Sequence, residues 1–521
     1  MSSFEPRDYI VFLGYSIIVL SVGIWVSRKP RDHERNAEDF FLAGRALPWW
    51  IIGASLIASN ISTEQIIGMN GTAFESGIAV ISYSWLGAAI PIIIVSKFFL
   101  PAFLKMKIYS MPEFLEKRFD QRVSTGMGIF WILVYIFVNL TSVLALGAVT
   151  LQQVIGIPIV FGVIGLACFS AVYTIYGGLT SVAWTDFIQV GVLIAGGIAV
   201  TLIGLDKVGD GQGIITGFTT LMHNAPDRFH TVLSADHHEL PWTGVFCGGL
   251  FITAMSYWGC NQYIIQRALA AKSTSQAQYG LLFAAFLSLI VSVIIVLPGV
   301  IAGDLYPEMI LKRDEAFPVL IRELLPAGLT GLLIAAIIAA IVSSLNSMTN
   351  STATIFTMDI YRNIFRKTAA QKELVFVGRI VSAMGLTIAV MLAPVVAGQG
   401  QLFKFIQEYT GFITPGVFAI FIFGLFWKRC TSNAALIAAL STIPVSIILK
   451  FTFPDLAFLN RITITFLVLS FLIVTTSLKQ KRVVTAEDLV YSNVNYKTSM
   501  PVNIGVFLVL GIVAALYLLF V

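Results

Sequence analysis

Residues 48–71, PWWIIGASLIASNISTEQIIGMNG, form an apolar stretch long enough to cross a bilayer, yet polar residues occupy its middle. A membrane span needs about 20 residues, so side chains in its middle lie near the midplane of the bilayer. Asn60, Ser62, Thr63, Glu64 and Gln65 fall there. Polar groups at this depth are costly unless they line a cavity or bind something. We therefore predict a broken helix with a binding site, the alternative being hydroxyls that only bond neighbouring helices.

The composition of the whole chain is typical of a polytopic membrane protein. Apolar residues make up 57% of the 521 residues, charged residues make up 12%, and the mean hydropathy is +0.86. Soluble domains carry about 25% charged residues. The predicted fold is an all-α membrane protein of about 14 transmembrane helices. The apolar segments lie near 9–27, 48–71, 77–104, 125–155, 159–176, 181–204, 243–266, 278–302, 327–360, 375–396, 401–427, 434–451, 462–478 and 502–521.

The basic residues set the predicted orientation. An even number of spans leaves both termini on one side, and an outside N-terminus places 23 of the 33 lysines and arginines in inside loops and 8 in outside loops. Arg267 counts among the inside residues because it directly follows an apolar segment. Basic loops remain on the cytoplasmic side. We therefore expect a multi-pass plasma-membrane protein with both termini outside.

A second apolar stretch, residues 245–267, is also interrupted. Ser256, Gly259, Asn261 and Gln262 fall within it. It lies five spans after the first break, so the two stretches run in opposite directions, as inverted repeats require. Alternatively, such residues occur in any long bundle. The predicted organisation is one transporter domain, 1–521, made of a first helix and cytoplasmic loop (1–45), a first repeat (46–204), an external loop (205–242), a second repeat (243–427) and additional C-terminal helices (428–521).

Residues for other kinds of chemistry form no recognisable pattern in the sequence. All five histidines lie in predicted loops, and the four cysteines are scattered through or beside apolar segments. Zinc-protease, serine-hydrolase, P-loop and dinucleotide-binding motifs do not occur. The net charge of +5 follows from the cytoplasmic loops and does not indicate nucleic acid. We predict a non-enzyme without an organic cofactor or an obligatory protein partner, surrounded by membrane lipids.

The ninth segment carries hydroxyls that suit a cation. Residues 333–357, LIAAIIAAIVSSLNSMTNSTATIFT, are rich in small residues and include adjacent Ser343 and Ser344. Small residues allow close approach of another helix, and neutral oxygens suit a hard monovalent cation. The pattern predicts an oxygen cage without specifying the ion. The alternative is that the small residues serve packing and the serines bond to their own helix.

Seven motifs in this order resemble the sodium:solute symporter family, and most of all its bacterial sodium/galactose and sodium/glucose cotransporters. They are FFLAGRALPWW, ASLIASNISTEQIIGMNG, YSMPEFLEKRF, YTIYGGLTSVAWTDFIQV, YWGCNQYIIQRALAAKS, AAIVSSLNSMTNSTATIFTMDIY and IQEYTGFITPG. The resemblance implies a fourteen-span transporter of the bacterial inner membrane with a five-plus-five inverted repeat. It also implies alternating access and uptake driven by sodium.

The resemblance also implies a sodium site. Its residues would be Ala58 and Ile61, through their backbone carbonyls, and Ala340, Ser343 and Ser344. Asp186, in AWTDFIQV, matches an acidic residue on the sodium exit path of the family. An equally acceptable reading is that Asp186 caps a helix that begins near Thr185.

The resemblance implies a sugar pocket as well, with three departures. Where the galactose-type pocket has Glu, Asn and Lys, this chain has Ser84, Ala254 and Ser288. The matching substrate contacts are Asn60, Gln65, Tyr83, Tyr257, Trp258 and Gln407, and the matching gates are Met69, Tyr83 and Phe403 outside and Tyr257 inside. We predict a sodium symporter for a neutral, hydroxyl-rich solute, a hexose first and a polyol second. Alternatives are a symporter for a carboxylate, amino acid or vitamin, and a membrane sensor that binds without flux.

Overall fold

The computed structural model describes residues 5–26, 36–61, 64–397, 410–480 and 494–520. Its elements are all helices, which confirms the predicted fold class at this level. Phe403 and Gln407, predicted to gate the site and to contact the substrate, lie outside the described residues.

Ten helices in the described ranges have the length and composition of membrane spans, which confirms a polytopic membrane protein. Two shorter apolar helices, Ile159–Val172 and Thr414–Phe426, accompany them. Four of the fourteen predicted segments have no separate counterpart among these ten: the two interrupted stretches, segment 159–176, which contains the shorter helix Ile159–Val172, and segment 401–427, of which the structure describes only residues 410–427. The ten are Pro6–Val26, Gln65–Lys105, Gln121–Gln152, Gly178–Val208, Thr274–Leu305, Leu329–Phe365, Gln371–Ala397, Ser432–Thr452, Phe458–Lys479 and Met500–Leu519.

Shorter helices connect these spans or belong to the interrupted stretches. They are Ala37–Leu42, Trp49–Asn60, Met111–Arg118, Ile214–Asn224, Trp242–Phe246, Gly249–Met255, Gln262–Leu269 and Ala316–Leu324.

The first interrupted stretch, which we call the first broken span, leaves helical geometry at Ile61. Helix Trp49–Asn60 ends there, and Ile61 has an extended backbone with φ −75° and ψ 93°. The Ile61 amide still donates to the Ile57 carbonyl at 2.8 Å. A π-helix, Glu64–Met69, follows. The last carbonyls of a helix have no intrahelical donors, so the carbonyls at the end of this helix are available to groups from other helices inside the membrane domain.

The second interrupted stretch, the second broken span, leaves helical geometry at Asn261. A π-helical turn, Ser256–Cys260, precedes Asn261, whose φ of −85° and ψ of 127° are extended. The Asn261 side chain then accepts from the Tyr263 amide at 3.3 Å and so caps helix Gln262–Leu269. An Asn in this position satisfies one of the free amides at a helix start. Both breaks therefore fall at the polar residues that the sequence singled out.

The hydroxyl-rich helix Leu329–Phe365 lies at the centre of the bundle. In its most apolar window 89% of the residues are buried, against 17% for Pro6–Val26 and 22% for Met500–Leu519. It packs against the first broken span and against helix Gly178–Val208. Polar side chains can line a helix this deep inside the bundle because lipid does not reach them.

Gly178 makes a sharp bend between two consecutive spans. Its φ of 62° and ψ of −156° belong to a region of backbone space that is open almost only to glycine. A Cβ at this position would lie 2.4 Å from the carbonyl oxygen of Phe40. The bend separates the predicted segments 159–176 and 181–204, and it fixes how the helix carrying Asp186 enters the bundle.

Replacing Gly178 with Ala should therefore destabilise the protein by at least about 2 kcal/mol. Alanine is strained in this backbone conformation, and its Cβ would clash with the Phe40 carbonyl oxygen. Thermal unfolding of the detergent-solubilised protein measures this effect. Gly191 lies in the same helix and has no atom within 4 Å of its Cβ position, so Gly191→Ala is the matched control. Equal unfolding temperatures for both variants and the parent would show that the bend does not require glycine.

Candidate functional site

A cavity of about 150 Å³ lies between the two broken spans. Seven of the predicted substrate residues line it: Asn60, Gln65, Tyr83, Ser84, Ala254, Tyr257 and Trp258. Ser288 and Met69 are not among the lining residues. The Ser288 hydroxyl donates to the Ala285 carbonyl of its own helix at 2.7 Å, and Met69 is buried. The structure thus brings together most of the predicted pocket from separate parts of the chain.

Four π-helical segments contribute to the wall of the cavity. They are Glu64–Met69, Trp85–Ala89, Val134–Leu140 and Ser256–Cys260. Each supplies at least one lining residue, among them Gln65, Gly87, Asn139 and Tyr257. A π-turn inserts one residue into a helix and disturbs its regular bonding, and such turns are frequent at functional sites. The helical backbone therefore departs from regular geometry at four places that face the same space.

Tyr135 stabilises the second break and was not predicted from the sequence. Its hydroxyl donates to Asn261 Oδ1 at 2.6 Å and accepts from the Gln262 amide at 3.1 Å. The ring packs edge-on against Tyr263, with centroids 5.6 Å apart. One phenol thus partners both the Asn261 side chain and the Gln262 amide at the break. A single tyrosine in an apolar run gives no sequence signal for such a role.

Two residues that line the cavity each carry a buried polar atom with no hydrogen-bond partner within the described structure. Asn139 Oδ1 and Thr414 Oγ1 are buried without a hydrogen bond. An unpaired buried acceptor or hydroxyl costs about 1–3 kcal/mol, so these groups favour a polar ligand or water in the cavity. Asn139, like Tyr135, was missed by the sequence analysis because it stands alone in its segment.

The described part of the cavity wall is polar but uncharged. Its described lining residues include no Asp, Glu, Lys or Arg, while amides, hydroxyls and aromatic rings are all present. The Trp258 indole N–H donates to the Gly87 carbonyl at 3.1 Å, so this residue offers the cavity a ring face. Such a wall can exchange hydrogen bonds with hydroxyl groups and cover the apolar side of a ring.

The predicted sodium ligands are buried, and one of them, Ser344, contacts the end of the first broken span. Ser344 Oγ lies 3.4 Å from the Ser59 carbonyl oxygen, and the hydroxyls of Ser59 and Ser347 are 3.1 Å apart. Ala58, Ile61 and Ala340 are buried on the same two helices, and the Ser343 hydroxyl donates to Asp186 Oδ1 at 2.5 Å. The helix end and the hydroxyl-rich helix are therefore in direct polar contact.

Asp186 belongs to a buried ionic cluster. Its Oδ2 accepts from Ser55 Oγ at 2.5 Å and lies 3.3 Å from Arg267 Nη2. The guanidinium also donates from Nε to Ser55 Oγ at 2.6 Å, and from its two other nitrogens to the Tyr263 carbonyl and the Ser347 hydroxyl. Both charged side chains are at most 1% exposed. A buried pair needs such additional hydrogen bonds to offset its desolvation.

This cluster corrects two sequence-based readings. Arg267 was assigned to an inside loop, but it lies buried within the bundle, paired with Asp186. The reading of Asp186 as the cap of a helix that begins near Thr185 is also wrong. The helix begins at the Gly178 bend, and Asp186 lies within it. A basic residue directly after an apolar run resembles a loop residue, so the sequence alone did not indicate the ion pair between Arg267 and Asp186.

Comparison with known proteins places this arrangement in a family. A profile of the sodium:solute symporter family matches residues 40–441. The chain belongs to this family. It is 44% identical over 535 residues to the sodium/glucose cotransporter of Vibrio parahaemolyticus, with 98% of each chain covered. It is 33% identical over 486 residues to the sodium/myo-inositol cotransporter 2 of Sus scrofa, covering 87% of this chain and 71% of the relative.

A solved structure agrees with the fold. The substrate-bound outward-open structure of a sodium-coupled sialic acid symporter matches with a TM-score of 0.81 and 24% identity, covering 92% of this chain and 99% of the other. Membership of the symporter family confirms the family prediction and makes the protein a transporter rather than an enzyme. It implies sodium as the coupling ion.

The Asp186 and Arg267 pair should be strongly interdependent. Arg267→Met or Asp186→Asn alone should destabilise the protein by about 3–5 kcal/mol, because each leaves a buried charge unpaired. The double variant should lose much less than the sum of the two. Thermal unfolding of the four proteins gives the coupling energy.

Arg322→Met is the control for this cycle, because Arg322 pairs with Glu323 on the surface, with both side chains at least 33% exposed. It should change the stability by less than about 1 kcal/mol. Additive losses at Asp186 and Arg267 would contradict the pairing.

Proposed function

We propose that this symporter imports a neutral, hydroxyl-rich small solute together with sodium by alternating access, and that the solute is a hexose or, second, a cyclic polyol. The observation that carries the proposal is the cavity between the broken spans, whose described lining residues carry no charge and combine amides, hydroxyls and aromatic rings. The relatives described as cotransporters of glucose and of myo-inositol support this class of solute.

The cavity residues divide into two kinds of contact. Asn60, Gln65 and Asn139 offer amide groups, which donate to and accept from hydroxyls, while Tyr257 and Trp258 offer ring faces. We assign the outer gate to Met69, Tyr83 and Phe403, the inner gate to Tyr257, and a further contact to Gln407.

The departures from the galactose-type pocket fit a neutral solute. Ser84 and Ala254 line the cavity, where that pocket has an acid and an amide. Ser288 replaces its base, so no charge of either sign is left without its counterpart. Because Ser84 and Ala254 have short side chains, the cavity leaves room for a differently hydroxylated ring than galactose.

The sodium site is assigned to Ala58, Ile61, Ala340, Ser343 and Ser344, with Asp186 on the exit path. The contact between Ser344 and the Ser59 carbonyl supports this assignment. A sodium ion at this point would bind the Ser59 carbonyl oxygen in place of the hydroxyl proton of Ser344, and its positive charge is stronger. Ser59 also lines the cavity, and the next residue is the proposed substrate ligand Asn60. Sodium binding would thus order the backbone that presents Asn60 to the solute.

For the whole chain we propose fourteen spans, with inverted repeats at residues 46–204 and 243–427, in a bacterial inner membrane with both termini outside. The two breaks, one in each repeat, support this organisation.

One sodium ion crossing about 100 mV supplies roughly 2.3 kcal/mol, and a tenfold gradient adds about 1.4 kcal/mol. Together these would sustain an accumulation of roughly 500-fold.

Uptake into proteoliposomes tests the proposed solute class. Sodium-driven uptake of labelled glucose should be inhibited by unlabelled glucose or myo-inositol at least about 100-fold more effectively than by glucuronate, because a carboxylate would be buried without a cation. Glucuronate is the matched compound, since it differs from glucose at one carbon only. Stronger inhibition by glucuronate would contradict a neutral solute, and binding without sodium-driven uptake or counterflow would indicate a sensor.

Ser344→Ala should raise the sodium concentration for half-maximal uptake by about tenfold, because one oxygen ligand is lost. Thr352→Val is the control, since Thr352 lies on the same helix and its hydroxyl bonds only to the Met348 carbonyl at 2.8 Å. Both variants should reach the membrane at the parent's level. An unchanged sodium dependence in Ser344→Ala would show that the sodium site lies elsewhere.

A further inference from the structure

The helix that follows the first broken span has two faces at the level of the cavity. Tyr83, Ser84, Gly87 and Ala88 line the cavity. Ser82 and Trp85 are fully or almost fully buried on the other side. They lie three residues apart, and residues at this spacing share one side of a helix. Whatever holds Ser82 and Trp85 therefore also sets the position of the cavity-lining face.

This segment is poorly fixed by its own backbone. It passes from a 3₁₀-helix, Gly77–Ile81, through one α-helical turn into a π-helix, Trp85–Ala89, within a few residues. Both kinds of helix have weaker bonding than an α-helix and occur in short pieces. Contacts from neighbouring helices must therefore determine its conformation.

The contact on its outer side comes from the C-terminal helix, Met500–Leu519. The Tyr517 hydroxyl lies 2.5 Å from Ser82 Oγ, and its ring packs edge-on against Trp85, with centroids 5.8 Å apart. On the inner side, Trp258 donates to the Gly87 carbonyl at 3.1 Å. The segment is thus held between Tyr517 and a residue that itself lines the cavity.

Tyr517 also reaches the second broken span. Its ring lies 5.8 Å from that of Phe246, just before the segment that supplies Leu250 and Ala254 to the cavity wall. The end of the C-terminal helix is fixed in turn, because the Phe520 carbonyl accepts from both the amide and the hydroxyl of Thr231 at 2.8 and 2.9 Å. One side chain therefore bridges two walls of the cavity from a helix that does not line it.

We propose that Tyr517 is a positioning residue for the solute site, acting through its hydrogen bond to Ser82. The bond holds Tyr83 and Ser84 at the depth at which they meet the solute. Without it, the Ser82 hydroxyl would turn to a carbonyl of its own helix, which serines do readily and which bends helices. The cavity would then bind its solute less tightly while the sodium site, on other helices, is unaffected. This inference rests on the proposed function of the cavity.

Uptake kinetics test the inference. Tyr517→Phe keeps the ring and removes the hydroxyl, and it should raise the solute concentration for half-maximal uptake by about three- to tenfold. The maximal rate and the sodium dependence should stay at the parent's values. Ser82→Ala should have the same effect, the double variant should add nothing, and Ser82→Thr should restore the parent's value, because the hydroxyl returns.

Tyr279→Phe is the matched control. The Tyr279 hydroxyl lies 3.1 Å from Ser499 Oγ at the beginning of the same C-terminal helix, so this variant removes a similar bond at its other end. It should transport like the parent. An equal loss of affinity in Tyr279→Phe would assign the effect to docking of the whole helix and overturn the role of Tyr517, and so would unchanged kinetics in Tyr517→Phe.

A second measurement does not depend on the solute. Ser84→Cys, in a background where the exposed Cys168 and Cys247 are replaced by Ser, can be labelled with a methanethiosulfonate reagent. Adding Tyr517→Phe should change the labelling rate of the introduced thiol at least about threefold. The free energy of one hydrogen bond corresponds to a factor of at least this size in the equilibrium between positions of the segment. An unchanged rate would overturn the inference. If the parent took up neither glucose nor myo-inositol, the proposed function would fail while this labelling still decided the role of Tyr517.

Discussion

The structure depends on one constraint, which is that a helix interrupted inside a membrane must find partners for the backbone groups it frees. Hydrocarbon supplies none, so each break has to be satisfied by protein or by a bound species. At the second break the Tyr135 hydroxyl and the Asn261 side chain supply the partners. At the first break the hydroxyl-rich helix contributes Ser344. Each break is therefore matched to one particular neighbouring helix, and these neighbours define the cavity between the breaks.

The hydroxyl-rich helix joins the ionic and the polar parts of the bundle. Ser343 contacts Asp186, Ser344 contacts the first break, and Ser347 contacts both Ser59 and Arg267. These positions follow the spacing of one helix side, so a small shift of the helix would alter all of the contacts together. A buried ion pair and a helix end thus share one set of serines, which links the charge state of the interior to the geometry of the break.

Much of the fold and of the site could be predicted because patterns reveal them. Polar residues within apolar runs marked both breaks, and paired hydroxyls marked the central helix. Seven pocket residues were found through motifs and do line the cavity. Tyr135, Asn139 and Tyr517 could not be found this way, because each is a single residue whose role depends on a partner far away in the chain. Arg267 was misread because its local context is that of a loop, and the helix count differed in part because a break divides one apolar run into short helices.

The four π-turns around the cavity have a consequence for how this protein tolerates change in length. Each turn contains one residue more than a regular helix of the same rise. Deleting that residue would restore α-helical bonding while leaving everything beyond it in about the same orientation, whereas deleting a residue from a regular stretch would rotate everything beyond it by about 100° around the helix axis. Insertions and deletions of one residue, normally confined to loops, are therefore a way in which the shape of this cavity can be remodelled without any substitution in its wall.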